Sequence, residues 1–224
     1  MSLFLELAGI FINIVMPVFV LVLLGALAGR TLELEARTMT RYAYYLLAPA
    51  FVLNIIGDAN VSGALALRMI GYIVVVEVGC ALLGYGVARL LGRSRKMIGA
   101  YILVGVFGNV GNFGLPIIEF RLGTEALVPA TVYFLAVSTT SFIIGVAAAG
   151  GSQGGVLAGV KSVVRTPALV AIIPALLFNM SGGMPVALER IVNLLAGAMI
   201  PTMLATLGVQ LGRMQDFHFR WDML

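Results

Sequence analysis

The sequence contains few charged residues. Asp, Glu, Lys and Arg make up 11% of its 224 residues, whereas soluble globular proteins carry about a quarter. Hydrophobic residues account for 61%, and the mean hydropathy is +1.06. So few polar side chains cannot cover a chain of this length in water, and the long apolar runs match membrane helices. We therefore predict an all-α integral membrane protein.

Cysteine and histidine are equally scarce. The single Cys80 excludes an intrachain disulfide, and the single His218 lies near the end of the sequence. Hydrolytic enzymes need a nucleophile with a base, or a metal cluster, so we expect no enzymatic activity, metal site or bound cofactor. Basic patches with interleaved aromatic residues are missing as well, and we expect no nucleic-acid partner.

Seven apolar segments approach the roughly 20 residues that a helix needs to cross a bilayer. The first lacks a basic flank and is long, so it is predicted to be a retained span rather than a cleaved signal peptide. A glycine-rich stretch at 147–159 is the one flexible linker by composition. The predicted spans are Leu7–Gly29, Thr40–Gly57, Leu67–Leu91, Ile98–Glu119, Ala126–Ala149, Pro167–Gly183 and Leu188–Gly212.

Lysine and arginine fall on alternate connections between these spans. Eleven of the 14 lie on one side of the predicted bilayer and three, Arg68, Arg121 and Arg190, lie on the other. The positive-inside rule places the eleven in the cytoplasm. We therefore predict a multi-pass protein of the inner or plasma membrane, with its N-terminus outside and residues 213–224 in the cytoplasm. Tyr42, Tyr44 and Tyr45 are predicted to form an interfacial aromatic belt.

Two pairs of segments resemble each other. Pro17 and Pro49 in the first two spans are separated by 32 residues, and Pro167 and Pro201 in the last two by 34. Five spans separate the two openings, so the second copy would enter from the opposite side, as in the inverted repeats of secondary transporters. A complete repeat would have five plus five spans, and this sequence supplies five plus two. Either spans 8–10 are missing from a fragment, or the seven-span form is complete and the similarity is accidental.

The stretch "VGVFGNVGNFGLPII" at 104–118 is apolar but poorly suited to a helix. It contains glycines at every third position from Gly105 to Gly114, and Pro116 follows two residues after the last of them. Glycine and proline both disfavour a helix interior, so we predict a broken helix near 109–116. A break in a membrane is tolerated where it is buried in protein or faces a water-filled cavity. Asn109 and Asn112 would make this a polar site, although close helix packing is an alternative explanation for Gly105 and Gly108.

"GNVGNFGLPI" in span four and "LLAPAFVLNII" in span two resemble the auxin efflux carrier family, whose bacterial members have similar runs. That family is similar in fold to bile-acid sodium symporters and sodium–proton antiporters. The resemblance implies an inverted-repeat transporter fold with a broken crossover helix in span four. It also implies scaffold spans at 1–57 and 166–212, transport-domain spans at 67–149, a cytoplasmic linker at 150–165, and a homodimer formed through the scaffold.

The resemblance and the broken segment together give a set of candidate substrate-binding residues: Asn54, Asn109, Gly111, Asn112, Gly114 and Pro116. Glu77 lies near the middle of span three, where an ionisable side chain is costly and usually functional. We expect Glu77, with Ser138 and Thr139 of span five, to couple transport to Na⁺ or H⁺. The alternatives are a neutral carboxyl packed between helices, and hydroxyls that only assist packing.

The predicted function is a secondary transporter that moves a small organic anion, a carboxylate, by alternating access. The alternative is a seven-helix membrane receptor or sensor, because seven spans and an outside N-terminus match that class. A break at 109–116 favours the transporter, and a continuous fourth helix favours the receptor.

Overall fold

The computed structural model describes Leu5 and residues 8–57, 63–148 and 164–213. This part of the chain forms helices joined by short turns and contains no strand, so the prediction of an all-α membrane protein is confirmed. The linker around 147–159 and the tail lie largely outside the described residues. The helices are α1 Ala8–Thr31, α2 at 36–57, α3 Gly63–Leu90, α4 Arg95–Val106, α5 Leu115–Leu122, α6 Leu127–Ala148, α7 Pro167–Ser181 and α8 Val186–Gly212.

Five stretches of the described chain are helical, long and apolar enough to cross a membrane: α1, α3, the α4–α5 stretch Arg95–Leu122, the stretch Thr124–Gly145 that contains most of α6, and α8. The other two predicted spans correspond to α2 and α7. Helix α7 is apolar but short. Helix α2 carries Arg41 and three tyrosines, which lower its hydropathy, and it consists of three pieces, Ala36–Tyr42, Ala43–Leu47 and Ala48–Gly57.

The helices pack in two groups. In the first group, α1 packs on α8, α8 packs on α2, and α2 packs on α7, and in the second group α3, α4 and α6 all contact one another. The segment 110–122 lies between the groups, because its first turn contacts α6 and α8 and α5 contacts α6 and the start of α1. A continuous buried core joins α2 and α8 to α5 and α6; Leu47, Leu115 and Leu204 are completely buried in it.

Three wide π-helical turns occur in the described chain, and each ends two residues before a proline. They are Phe11–Val15 before Pro17, Ala43–Leu47 before Pro49, and Val110–Gly114 before Pro116. Proline donates no backbone hydrogen bond and clashes with the carbonyl four residues back. A π turn widens the helix at that point, so it accommodates the proline without ending the helix.

Helices α1 and α8 approach each other unusually closely. Helix α1 presents Gly25 and Gly29 to the backbone of α8, and α8 presents Gly208 and Gly212 to the backbone of α1, in two G-x-x-x-G pairs of the kind that bring helix backbones together in membranes. A Cβ atom at Gly208 would lie 2.0 Å from the Val22 carbonyl oxygen. We call these four glycines the glycine seam.

The seam is closed at one end of the molecule. The Arg30 Nε donates to the Gly212 carbonyl at 2.9 Å, and the Arg213 guanidinium donates to the Glu33 carbonyl at 2.9 Å. These bonds satisfy carbonyls at the C-terminal end of α8 and in the turn after α1, where helical partners are lacking. The junctions α1–α2 and α3–α4 and the end of α8 share this arginine-rich end, which we call the basic end.

Candidate functional site

The fourth predicted span is interrupted. Helix α4 ends at Val106, residues 107–109 are not helical, and the chain re-enters a helical conformation at Val110. Phe107 is extended (φ −85°, ψ 94°), and Asn109 is also outside the helical region (φ −82°, ψ 57°). The Phe113 and Gly114 amides donate to the Asn109 carbonyl and start the second half. This interruption is the feature that separates the transporter prediction from the receptor prediction.

The interruption begins earlier than the predicted 109–116. Pro116 was expected to break the helix, but it is the second residue of α5 and follows directly on the wide turn at Val110–Gly114. The wide turn absorbs the clash of the proline ring, so 110–122 is continuously helical. Gly105 also lies outside the break. It is inside α4, where a Cβ would be 3.2 Å from the Cys80 carbonyl oxygen, so this glycine serves close packing against α3.

The break borders a cavity of about 430 Å³, which we call cavity A. Phe107 and Gly108 of the break form one wall, and the other walls come from α2, α6 and the start of α7. Ser138 and Thr139 both line it, so the structure brings these two predicted residues to the break. The described lining contains no charged side chain. It is formed by Tyr44, Ala48, Phe107, Gly108, Phe134, Leu135, Val137, Ser138, Thr139, Ser141, Phe142, Thr166, Ala168 and Leu169.

Asn112 lines a second, smaller cavity of about 180 Å³, cavity B. Cavities A and B share Tyr44, Ala48 and Phe134. Phe134 also lies against Gly111, whose Cβ would be 2.9 Å from the Phe134 ring. The Phe134 ring therefore forms part of the wall between the two cavities, and the absence of a side chain at residue 111 makes room for it.

A third cavity of about 370 Å³, cavity C, lies towards the end of the molecule opposite the basic end. It contains Asn54, whose side-chain amide donates to the Asn193 side-chain oxygen of α8, and it also contains Glu119. Asn54 is therefore not brought together with Asn112, Ser138 or Thr139. On α2, cavity A reaches Ala48 and cavity C reaches Phe51, less than one helical turn apart.

Glu77 lies next to the end of α4 rather than in the open cavity. It is 8% exposed, and its Oε2 is 2.8 Å from the Oγ of Ser141, which is 1% exposed. The same Ser141 Oγ is 2.7 Å from the Val106 carbonyl oxygen. Ser141 also lines cavity A, so it connects Glu77 to both the cavity and the break.

The remaining predicted residues line none of the three cavities. Asn109 is exposed. Gly114 lies inside the wide turn, where a Cβ would meet Val110 at an ordinary 3.6 Å. Pro116 is completely buried beside Leu115 in the core. The substrate-binding and ion-coupling roles given to these residues remain predictions.

Sequence reasoning missed several residues of the site. Tyr44 was assigned to an interfacial belt, but it lines cavities A and B. Phe107 and Phe134 received no role, because an aromatic residue in an apolar span resembles any lipid-facing or core residue. Ser141 was not among the predicted site residues. Helical spacing from Phe134 through Ser138 to Ser141 was the available signal, since residues three or four apart share a face.

Comparison with known proteins gives one weak similarity. The chain is 26% identical over 215 residues to an uncharacterized transporter of Methanocaldococcus jannaschii, and the alignment covers 89% of this chain and 68% of that protein. No family model matches the sequence. Together with the apolar helices, this similarity supports a multi-pass membrane transporter, and it agrees with transport rather than catalysis. Membership of the auxin efflux carrier family, the inverted repeat and the orientation in the membrane stay predictions.

Proposed function

We propose that the protein is a secondary transporter that carries a small organic anion through cavity A by alternating access. The observation that supports this most strongly is the broken helix at 107–109, which faces a cavity between two groups of helices. Irregular backbone at membrane depth is found where it is buried in protein or lines a cavity, and discontinuous helices form the substrate sites of many transporters.

The lining of cavity A supports an anion with an apolar body. Four aromatic residues, Tyr44, Phe107, Phe134 and Phe142, provide the apolar surface. A carboxylate would be held by hydroxyl donors such as Ser138 and Thr139, and by the positive end of the helix dipole that begins at Val110. The described lining contains no carboxylate to repel an anion. A monocarboxylate with an aromatic or branched body therefore fits better than a small dicarboxylate, whose second charge would lack a partner.

The positions of the cavities support alternating access. Cavities A and B lie towards the basic end, cavity C lies towards the other end, and packed residues such as Leu47, Phe51 and Leu115 fill the layer between them. In this mechanism, α3, α4 and α6 move against α1, α2, α7 and α8, so that access passes from one end to the other. Coupling to H⁺ or Na⁺ would act through Glu77, and a homodimer would form through the group that contains the glycine seam.

Uptake into proteoliposomes that contain the purified protein tests this function. We expect saturable uptake of labelled benzoate or phenylacetate, weaker uptake of malonate, and none of a cationic amine. Asn112→Ala should reduce uptake at least tenfold, because Asn112 lines cavity B next to the route. Asn13→Ala is the matched control, since the Asn13 side chain donates to the Gly9 carbonyl in its own helix. Equal uptake in protein-free liposomes for every anion would reject the proposal.

A further inference from the structure

Three oxygen atoms from three helices meet at the end of α4: Glu77 Oε2 of α3, Ser141 Oγ of α6 and the Val106 carbonyl oxygen of α4. Both contacts involve Ser141, at 2.8 and 2.7 Å, and all three residues are buried. The approach of α3 to α4 at Gly105 and Cys80 places Glu77 beside Val106. We call this group the Ser141 bridge. The number of protons available for its two hydrogen bonds depends on whether Glu77 is protonated.

Ser141 has one hydroxyl proton, and the Val106 carbonyl has none. If Glu77 is ionised, the Ser141 hydroxyl proton is the only proton for both contacts. Ser141 can then donate to the Glu77 carboxylate or to the Val106 carbonyl, and at the other contact two acceptor oxygens face each other without a proton. If Glu77 is protonated, its carboxyl donates to Ser141 Oγ and the Ser141 hydroxyl donates to the Val106 carbonyl. Both contacts are then complete hydrogen bonds, as buried polar groups require.

The distances also favour a proton over a bound cation. Ligands that lie about 2.4 Å from a hard cation and at right angles to each other are about 3.4 Å apart. The two oxygen–oxygen distances at Ser141 are 2.8 and 2.7 Å, which are normal lengths for O–H···O hydrogen bonds. The bridge as the structure has it therefore has the geometry of two O–H···O hydrogen bonds.

The Val106 carbonyl needs the Ser141 hydroxyl because of the break. In a continuous helix this carbonyl would accept from the amide of residue 110, but the extended Phe107 turns the chain away. Ser141 supplies a donor in place of that amide, and it ties α6 to the end of α4. The Val106 carbonyl, at the broken end of α4, and an ionised Glu77 would therefore compete for the same Ser141 hydroxyl proton.

Charged side chains do not face this group from the helices packed against α3. Helix α6 carries none, and those of α4 are Arg95 and Lys96 at its other end. The arginines of α3, Arg68 and Arg89, lie near its two ends. Other titratable groups on the three helices are Cys80, one turn from Glu77, and the more distant Tyr72, Tyr85, Tyr101 and Tyr133. Among the described residues, Glu77 is therefore the acid whose protonation determines the hydrogen bonds of the bridge.

We propose that the Ser141 bridge is a proton-operated latch on the broken helix. With Glu77 protonated, Ser141 donates to Val106 and holds the end of α4 against α6. When Glu77 loses its proton to solvent, the Ser141 hydroxyl turns to the carboxylate, and the Val106 carbonyl is released towards cavity A. In the proposed transporter this latch would couple proton release to movement of the site, and this last link alone rests on the proposed function.

Infrared spectroscopy of the protein in lipid tests the protonation. We expect a carboxylic-acid carbonyl band at neutral pH that is lost in Glu77→Gln. The band should be retained in Glu119→Gln, the matched control, which removes the acid of α5. Ser141→Ala should shift the band, and Ser141→Thr, which keeps the hydroxyl, should leave it in place. A wild-type spectrum without a Glu77-dependent acid band would overturn the proposal.

Hydrogen exchange measured by mass spectrometry tests the latch itself. Glu77→Gln carries an amide that donates to Ser141 at every pH, so it mimics the protonated state. We expect the peptide that covers 107–114 to exchange equally in wild type and Glu77→Gln at low pH, and several-fold faster in wild type at high pH. Identical exchange at all pH values would overturn the latch. Neither readout needs a substrate, so failure of the latch is distinguishable from failure of the transport proposal.

Discussion

Two glycine-rich regions of this molecule use the same residue for opposite purposes. In the glycine seam, Gly25, Gly29, Gly208 and Gly212 lie in regular helices, and the missing side chains allow two backbones to touch. At the break, Gly108 has open surroundings, with its nearest Cβ contact at 3.5 Å, and it contributes a weak helical preference rather than a close contact. The comparison shows that glycine spacing in a membrane segment does not by itself distinguish a rigid contact from an interruption.

What distinguishes the two regions is the residues between the glycines. Between its glycines the seam has aliphatic residues and alanine, as in "GALAG", with Gln210 as the one polar residue, and no proline follows within the next turn. The broken region adds Asn109, Asn112 and Pro116 to its glycines, and polar amides compete with helical hydrogen bonds. The first region is therefore expected to respond to side-chain volume, and the second to helical preference and polarity.

The largest effect is expected at the centre of the seam. A Cβ at Gly208 would lie 2.0 Å from a backbone oxygen, which cannot move aside without separating α1 from α8. Gly208→Val should destabilise the protein by more than about 3 kcal/mol, measured as a loss of folded protein in thermal unfolding in detergent. Gly197→Val in the same helix is the control, because nothing lies within 4 Å of its Cβ position. Similar melting of both variants would contradict the seam.

A smaller effect is expected where a glycine of the broken segment meets a side chain. A methyl group at Gly111 would lie 2.9 Å from the Phe134 ring, which can rotate but would then alter the wall between cavities A and B. Gly111→Ala should cost about 1 kcal/mol of stability and reduce uptake several-fold. Adding Phe134→Leu should restore part of the uptake, and no recovery in the double variant would show that the ring is not the obstacle.

The next effect concerns Gly105, which lies in α4 but faces α3. Its Cβ position is 3.2 Å from the Cys80 carbonyl oxygen, so Gly105→Ala requires a shift of a few tenths of an ångström. We expect a loss of stability of about 1 kcal/mol, partly offset by the better helical preference of alanine. Denaturation with increasing concentrations of a strong detergent would measure it, and a clear gain of stability would show that the two helices are less closely packed.

The smallest effect is expected at Gly108 itself. Its φ angle is not positive and its surroundings are open, so alanine fits without strain. Gly108→Ala should change stability by less than about 0.5 kcal/mol, measured by thermal unfolding in detergent. A severe loss of stability at Gly108 would mean that the break is closely packed and would remove the contrast between the two regions.

Much of the fold could be predicted from the sequence, because the bilayer requires long apolar helices and the composition shows them directly. The interruption was also predictable, but its position was not. Pro116 is compatible with a first helical turn, and the wide turn before it could not be inferred without knowing that the segment lies between two helix groups. The close contact of α1 and α8 was readable in "GALAG" and "GVQLG", but neither motif was predicted to pack against the other helix.

The candidate site was predictable only in part, for a different reason. Glu77, Ser138 and Thr139 are polar residues in apolar spans, so they could be identified as candidates from the sequence. Tyr44 and Phe134 are not unusual there, and only the three-dimensional arrangement shows that they line cavities A and B. Asn54 had the right chemistry, but its side chain is bonded to Asn193 and lines cavity C. Pairing between distant helices, such as Asn54 with Asn193, is not encoded in local spacing.

The proposed transport route depends on the interruption of the helix at 107–109 within the membrane. Solid-state NMR of isotopically labelled protein in lipid bilayers tests it most directly, through the backbone carbon chemical shifts of residues 104–116. We expect helical shifts up to Val106, non-helical shifts at Phe107, Gly108 and Asn109, and helical shifts again from Val110. Helical shifts throughout this stretch would contradict the interruption, the cavity that it borders and the transport route proposed through it.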